Sequence, residues 1–242
     1  MGKLDLKRTM PTYAARRGAS DLVSVPPLRY LMINGQGDPK TATAYADALA
    51  TLYPVVYVLK FRSKTAGQDY VVPSLEALWW AEDMAAFTAA RDKNLWRWTA
   101  MILVPDWLDE NDVAAATDHV RTAQHARGGL PPRLDDLRSE VLEERLCVQT
   151  LHVGPYDDEG PVLAQIHEQF IPQRGLRMTG RHHEIYLGDP RCTAPQRLRT
   201  ILRHPVAYAA RPTPEQLRGC RWRSSACDAP ARRHPTAAGR PR

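Results

Sequence analysis

The side chains best suited to chemistry lie close together in residues 181–187, which read Arg-His-His-Glu-Ile-Tyr-Leu. The β-branched and aromatic residues favour a strand, and the Gly-Asp-Pro sequence at 188–190 supplies a turn after it. Because side chains alternate across a strand, His182, Glu184 and Tyr186 share one face. A carboxylate between apolar neighbours is costly to bury unless it is paired or has a task, so Glu184 is a candidate functional group.

Two kinds of chemistry are open to Glu184. As a general base it would take a proton from water, with the Tyr186 hydroxyl, roughly 7 Å along the strand, orienting the water or the substrate. As a counter-charge it would hold a cationic ligand. We therefore predict Glu184 and Tyr186 as catalytic residues and His182 as a ligand contact. His183 falls on the apolar face, and we interpret it as a core or rim histidine.

Aromatic residues are the second feature of the predicted site. Five of the six tryptophans fall between residues 79 and 107. Aromatic walls around a carboxylate suit a flat apolar or cationic ligand. We predict Trp80, Trp98 and Tyr156 as that wall, whereas Trp79 is predicted to be core.

A second carboxylate is predicted from an apparent duplication. Residues 76–79, Glu-Ala-Leu-Trp, occupy in the first half of the chain the place that residues 184–187 occupy in the second. Glu76 would then approach the same cleft as Glu184, with Trp80 beside it on its face of the strand. We accordingly include Glu76 among the ligand-binding residues.

The elements that must position these residues follow one order twice: strand, helix, strand, strand. The predicted elements are 28–34, 38–60, 69–80 and 95–104, and then 145–153, 161–170, 181–187 and 198–204. Pro54 lies inside the first helix and should split or bend it. A connector at 106–144 contains a predicted helix and, at 137–142, a predicted strand.

The net charge of +6 is located entirely in the C-terminal segment. Residues 207–242 hold eight arginines against Glu215 and Asp228, so the remaining chain is neutral. The segment is rich in Pro, Ala and Ser without apolar periodicity, and we predict it to be disordered. A basic arm for DNA is the alternative interpretation, but we expect no specific nucleic-acid binding by the folded domain.

Several classes of protein do not fit the sequence. Four scattered cysteines without paired spacing argue against a zinc site or a disulfide framework. No G-x-S-x-G or H-E-x-x-H motif occurs, and we predict neither a metal nor a cofactor. No apolar run is long enough to span a membrane, so we expect a soluble, cytoplasmic protein.

These residues also resemble a known family. Residues 182–191 and 193–205 are similar to the C-terminal signature of the GyrI-like small-molecule-binding family, and four other blocks resemble it in order, at 31–39, 75–80, 96–105 and 153–160. The resemblance covers residues 3–206. It implies an α+β fold of tandem β-α-β-β modules, whose antiparallel sheets are related by a pseudo-twofold axis with a ligand cleft between them.

The resemblance also implies a range of functions. Members include drug-binding domains of transcription regulators, antagonists of gyrase toxins and hydrolases that open cyclopropane-bearing DNA alkylators. The segment before Leu28 is too short for a helix-turn-helix, which disfavours a regulator. We predict an extension at 1–27, modules at 28–105 and 145–206, and a cleft around Glu184. Its function is either hydrolysis of such alkylators or ligand sequestration without catalysis; the ligand and the oligomeric state stay open.

Overall fold

The computed structural model describes residues 2–82, 92–125 and 129–209. The strands are β1 (Asp21–Val25), β2 (Leu28–Gln36), β3 (Leu75–Trp80), β4 (Arg97–Leu103), β5 (Arg138–Leu142), β6 (Arg145–Val153), β7 (Leu176–Met178), β8 (His182–Tyr186) and β9 (Arg199–Tyr208). The helices are α1 (Leu6–Thr9), α2 (Thr43–Thr65), α3 (Glu110–His125), α4 (Gly160–Ala164) and α5 (Ile171–Gln173), with the π-helical stretch Gln165–Phe170 joining the last two.

All strands pair antiparallel in one sheet, in the order β1-β6-β9-β8-β3-β4-β2-β5, with β7 added beside β9. The predicted α+β class is therefore confirmed. The antiparallel sheets of the two halves are joined into one continuous surface, because β3 pairs with β8. The halves also exchange strands, since β1 pairs with β6 and β5 with β2.

The strand order shows a pseudo-twofold relationship between the two halves. If β1 is exchanged with β5, β2 with β6, β3 with β8 and β4 with β9, the same order results, read from the other edge of the sheet. The pairings also determine which residues correspond. We aligned β2 with β6 residue by residue and followed the strand pairings from there to β3 and β8. In this alignment Trp79 corresponds to Tyr186 and Ala77 to Glu184. Glu76 therefore corresponds to His183, and the predicted match of Glu76 with Glu184 is wrong by one residue.

Helices α2 to α5 lie on one side of the sheet, which we call the helix face. Helices α2 and α3 pack on the β2–β4 half through a core that includes Leu31, Leu52 and Val113. The segment from α4 to α5 packs on the other half, where Ile166 and Ile171 share an apolar core with Val148 of β6. Both sets of helices lie over the outer strands, so β3 and β8 form the floor between them.

Helix α2 differs from its prediction in two ways. It begins at Thr43, five residues after Asp38, and continues through Pro54 as one helix, so the expected split is wrong. The lost backbone hydrogen bond at Pro54 is offset by burial, because Leu52, Val55 and Val56 on both sides of it pack into the core.

The opposite face of the sheet is covered by the N-terminal segment, which carries Tyr13 onto a second apolar core with Tyr30 and Ile185. At the other end, β9 runs to Tyr208, two residues past the predicted boundary, because its last residues pair with β7. Residues 210–242, predicted to be disordered, lie outside the described residues. None of the helices in the described ranges is long and apolar enough to cross a membrane.

Candidate ligand-binding and catalytic cleft

The region around the β3–β8 junction on the helix face combines a carboxylate with several aromatic side chains, and we call it the central cleft. Its floor is formed by Ala77, Trp79, Glu184 and Tyr186. Its walls are Tyr45 from α2 and Tyr156 from the turn after β6. Tyr45, Tyr156, Glu184 and Tyr186 are all partly exposed, so solvent reaches the cleft from outside.

Glu184 occupies the middle of the floor. It is paired with Ala77 on one side and Leu202 on the other, so no basic residue lies opposite it in the sheet. The Tyr186 hydroxyl donates to Glu184 Oε2 at 2.8 Å. His182 Nε2 lies 3.3 Å from Oε1 of the same carboxylate. The side chain of Glu184 keeps 13% of its surface exposed, which leaves it available to a ligand or a water molecule.

Tyr186 is held at the centre of a short hydrogen-bond chain. Its hydroxyl oxygen accepts a bond from Trp79 Nε1 at 3.1 Å while its proton points to Glu184. Burial, and then the nearby Glu184 charge, raises the pKa of Tyr186 well above its usual range. Tyr186 therefore stays a protonated donor throughout the pH range in which proteins work.

The aromatic wall was predicted only in part. Tyr45 stacks on Trp79 at 6.0 Å and meets Trp98 edge-on at 4.9 Å. Tyr156 meets the Tyr186 ring edge-on at 5.5 Å, so the predicted juxtaposition of these two tyrosines is present. Trp79, predicted to be core, is 96% buried but contacts the cleft through its indole N–H.

Two of the predicted wall residues lie elsewhere. Trp98 is on the helix face but completely buried, with its ring over Gly35 where even a Cβ atom would clash. It supports Tyr45 from below and has no open surface for a ligand. Trp80 projects to the opposite face, where the Arg181 guanidinium lies 3.7 Å above its ring. The expectation that Trp80 lines the cleft of Glu184 is therefore wrong.

Glu76 is the clearest correction. It is fully buried on the face opposite Glu184, because successive side chains of β3 alternate and it is Ala77 that faces the cleft. Its carboxylate accepts hydrogen bonds from Tyr13 and Tyr30 and lies 2.9 Å from His183 Nε2. Glu76 and Glu184 thus do not share a cleft.

His183 is the centre of a buried ionic cluster on that opposite face. Its Nδ1 lies 3.1 Å from Glu144, which also receives a bond from Arg203 at 3.2 Å. Burial alone would lower the pKa of His183, but attraction to Glu144 and then Glu76 outweighs it and raises the pKa to about 8. The interpretation of His183 as a core histidine with a hydrogen-bonded ring fits this arrangement.

Three histidines from the second half line the helix face next to Glu184. His182 is 94% buried, and neither ring nitrogen has a partner in hydrogen-bond geometry within the described residues. His204 Nδ1 lies 3.2 Å from His167 Nε2. Burial, and then the proximity of His182, lowers the pKa of His204 to about 3 and that of His167 to about 4. Both are therefore neutral at pH 7.

A further acid, not predicted from the sequence, lies in the cleft. Glu159 follows the turn of Tyr156 and is only 5% exposed. Its Oε1 and Thr200 Oγ1 are both buried, and neither meets a partner in good hydrogen-bond geometry among the described residues. Thr200 is nevertheless close enough to act on Glu159 as a weak hydrogen-bond neighbour that opposes the rise of its pKa. Burial, and then repulsion by Glu184, raises the pKa of Glu159 far above its usual range, so this carboxyl is protonated at pH 7.

The turn that carries Tyr156 and Glu159 is tied across the mouth of the cleft to the first half. Asp157 receives Lys40 Nζ at 2.5 Å and Lys93 Nζ at 2.8 Å. These two hydrogen bonds, from Lys40 and then Lys93, lower the pKa of Asp157 to about 2. Because the three side chains are partly exposed, this clamp positions the turn more than it stabilises the fold.

A concave surface away from the cleft shows less chemistry. It is a broad depression of about 620 Å³ beside α2, bordered by Phe61, Arg62 and His119, and no carboxylate is among its lining residues. Within the described ranges no group of three or more His, Cys, Asp and Glu side chains is arranged to hold a metal ion. The central cleft is thus the place where charge, orphaned polar atoms and aromatic surface coincide.

Comparison with known proteins agrees with this architecture. A family model described as a GyrI-like small molecule binding domain matches residues 104–207. An uncharacterized conserved protein from Listeria innocua is 34% identical with a TM-score of 0.75, and two structures described as hydrolases from that organism are each 32% identical, with TM-scores of 0.71 and 0.73. In each case the alignment covers 85% of this chain and 100% of the other. A search of curated proteins found no match.

Proposed function

Since this chain belongs to the GyrI-like small-molecule-binding family, we propose that it is a hydrolase of flat, lipophilic molecules that carry a strained cyclopropane ring. Such molecules alkylate DNA, and water addition would detoxify them in the cytoplasm before they reach it. The observation that carries the proposal is the Glu184 carboxylate, oriented by Tyr186 at 2.8 Å and still open to solvent inside an aromatic cleft. The hydrolases from Listeria innocua add support at the level of the whole chain.

The reaction needs a base on one side of the strained ring and an acceptor for charge on the other. Glu184 takes a proton from water while the water oxygen bonds to a cyclopropane carbon. The carbon–carbon bond of the ring breaks, and its electron pair moves through the conjugated system to the carbonyl oxygen. Tyr186 orients the Glu184 carboxylate. General-base catalysis by a carboxylate positioned in this way raises the rate by a factor of about 10² to 10⁴.

The aromatic residues hold the rest of the molecule. Tyr45 and Tyr156 approach the floor from opposite halves of the chain, and both rings are partly exposed. A flat polycyclic ligand between them would bury apolar surface worth about 25 cal/mol per Å². This binding energy would place the ring carbon near Glu184 without any contact specific to one compound.

A second candidate function is binding without turnover. The same carboxylate beside the partly exposed tyrosines of the cleft suits a cation, because the quadrupole of an aromatic ring and Glu184 both attract positive charge. The protein would then sequester lipophilic cationic drugs. This candidate predicts that the ligand leaves the cleft chemically unchanged.

One experiment separates the two functions. The purified protein is incubated with a panel of planar aromatic electrophiles, including cyclopropane-bearing alkylators, and the products are analysed by mass spectrometry. A product heavier by one water molecule, absent without protein, supports the hydrolase. Unchanged ligands together with a raised melting temperature support the binding protein and contradict the hydrolase.

A further inference from the structure

We propose that Glu159 is the acid of the central cleft and that its carboxyl group, assisted by the Thr200 hydroxyl, binds and protonates the substrate oxygen on which charge develops. This inference rests on the proposed hydrolase function and assigns the half of the reaction that Glu184 cannot perform. The substrates must then be molecules in which a carbonyl group is conjugated to the strained ring.

The geometry that supports this role is a pair of buried polar atoms whose hydrogen-bonding capacity is not fully used. Glu159 Oε1 and Thr200 Oγ1 are both buried, and neither has a partner in good hydrogen-bond geometry among the described residues. The two side chains are close to each other, but only as weak hydrogen-bond neighbours. Leaving such groups poorly paired in the interior is unfavourable. A protonated carboxyl and a hydroxyl are both donors, so a single acceptor oxygen of a ligand would satisfy them together.

The position of the pair relative to Glu184 also fits. Thr200 is paired with Tyr186 across β8 and β9, and Tyr186 in turn donates to Glu184. Glu159 follows by three residues Tyr156, whose ring meets Tyr186 at 5.5 Å. The charge of Glu184 acts on both Tyr156 and Glu159. The two carboxyl groups therefore belong to one cleft, with Tyr186 on the path between them.

The surroundings of the two carboxyl groups differ. Glu184 accepts a hydrogen bond from Tyr186 and keeps the solvent access that activation of a water molecule requires. Glu159 is buried and lies near the charge of Glu184, which favours its neutral form. One solvent-accessible and one buried carboxyl group in the same cleft suit the roles of base and acid.

The step balances without a further reactant. Glu184 accepts a proton from water, the water oxygen bonds to the ring carbon, and the ring carbon–carbon bond breaks. The electron pair reaches the carbonyl oxygen, which takes the proton of Glu159. Proton transfer from Glu184 to Glu159, through solvent, restores both groups, so the net change is the addition of one water molecule to the substrate.

The test compares Glu159→Gln with Asp158→Asn, a matched carboxyl-to-amide change at the exposed neighbouring position. Glutamine keeps the shape and one hydrogen-bond donor but has no proton to give. We expect kcat to fall by about 10²- to 10³-fold in Glu159→Gln, with little change in KM. The decline of the wild-type rate at alkaline pH should also disappear, because the group that loses its proton is gone.

A Glu159→Gln protein with the rate and pH profile of Asp158→Asn would overturn the inference. If the wild type itself never adds water, the hydrolase proposal fails, and two measurements still test Glu159. The infrared carbonyl stretch of a protonated carboxyl should be present at pH 7 and absent in Glu159→Gln. The second measurement compares an unreactive aromatic enone with the analogue of that enone that lacks the carbonyl group. Thr200→Val should lower the affinity for the enone about tenfold and leave the affinity for the analogue unchanged. Absence of the infrared band in the wild type, or an equal effect of Thr200→Val on both ligands, would overturn the assignment.

Discussion

Trp79 and Tyr186 occupy corresponding positions in the two halves and meet at the pseudo-twofold axis, where the indole N–H donates to the tyrosine hydroxyl at 3.1 Å. The hydroxyl is thereby directed to Glu184 at 2.8 Å. Each half of the chain thus contributes one aromatic residue that helps to orient the Glu184 carboxylate. The carboxylate itself is present only in the second half, because Ala77 occupies the corresponding position in the first.

Trp79→Phe should lower kcat/KM by about tenfold, because a phenyl ring keeps the packing with Tyr45 but no longer holds the Tyr186 hydroxyl. The matched control is Trp107→Phe, which removes an indole bond of 2.9 Å to Ser63 in the α2 region. Both variants should lose similar stability, while only Trp79→Phe loses activity. Equal kinetics in the two variants would count against the hydrogen-bond chain.

The stability of the protein should fall as the pH rises through about 8. The pKa of His183 is raised to about 8 in the folded state from its ordinary 6.5, so protonation of His183 favours folding below pH 6.5 and that contribution is lost as the proton leaves. The loss amounts to about 2 kcal/mol, measured by urea unfolding between pH 6 and pH 9. His183→Gln should be less stable at pH 6 and should lack this slope; a wild-type slope in the variant would exclude His183 as its origin.

Asp157→Asn should weaken ligand binding more than it weakens the fold. The substitution removes both lysine bonds at the mouth of the cleft and frees the turn that carries Tyr156 and Glu159. Exposed ion pairs contribute about 1 kcal/mol or less to stability, so the melting temperature should change little. Added salt should reproduce the loss of affinity in the wild type and not in the variant, and equal salt dependence of both would contradict the clamp.

Two truncations distinguish the contribution of the last strand to stability from that of the basic C-terminal segment. Removing residues 210–242 should leave the melting temperature and ligand affinity intact, as their composition predicts. A chain ending at Pro205 loses Val206 from the core and the whole β7–β9 pairing, and should melt several degrees lower. If the longer truncation melts no lower than the shorter one, the pairing of β7 with β9 does not stabilise the domain.

The sequence was sufficient for most of the strands along the chain and for the face shared by Glu184 and Tyr186, because both follow from local patterns of residue type. It was insufficient for Glu76, whose assignment depended on a correspondence between distant strands. Side chains in a strand have a period of two, so an error of one residue moves every side chain to the other face. The same error exchanged the roles of Trp79 and Trp80.

Two residues of the cleft carried too weak a signal to be found. Tyr45 belongs to the apolar stripe of α2, and such a ring is indistinguishable in sequence from core packing. Glu159 follows two aspartates before the Gly-Pro start of α4, where acidic residues are expected at a helix N-terminus. Its burial depends on tertiary packing of that turn, which no local pattern reveals.

Glu184→Gln tests the central claim most directly when ligand affinity and product formation are measured on the same preparation, with Glu168→Gln as the control on the helical segment. The hydrolase account predicts that turnover of a cyclopropane-bearing alkylator falls by about 10²- to 10⁴-fold while affinity stays within about twofold, because glutamine keeps the shape but not the base. Retained turnover in Glu184→Gln, or loss of affinity for a cationic ligand that the wild type never consumes, would contradict it.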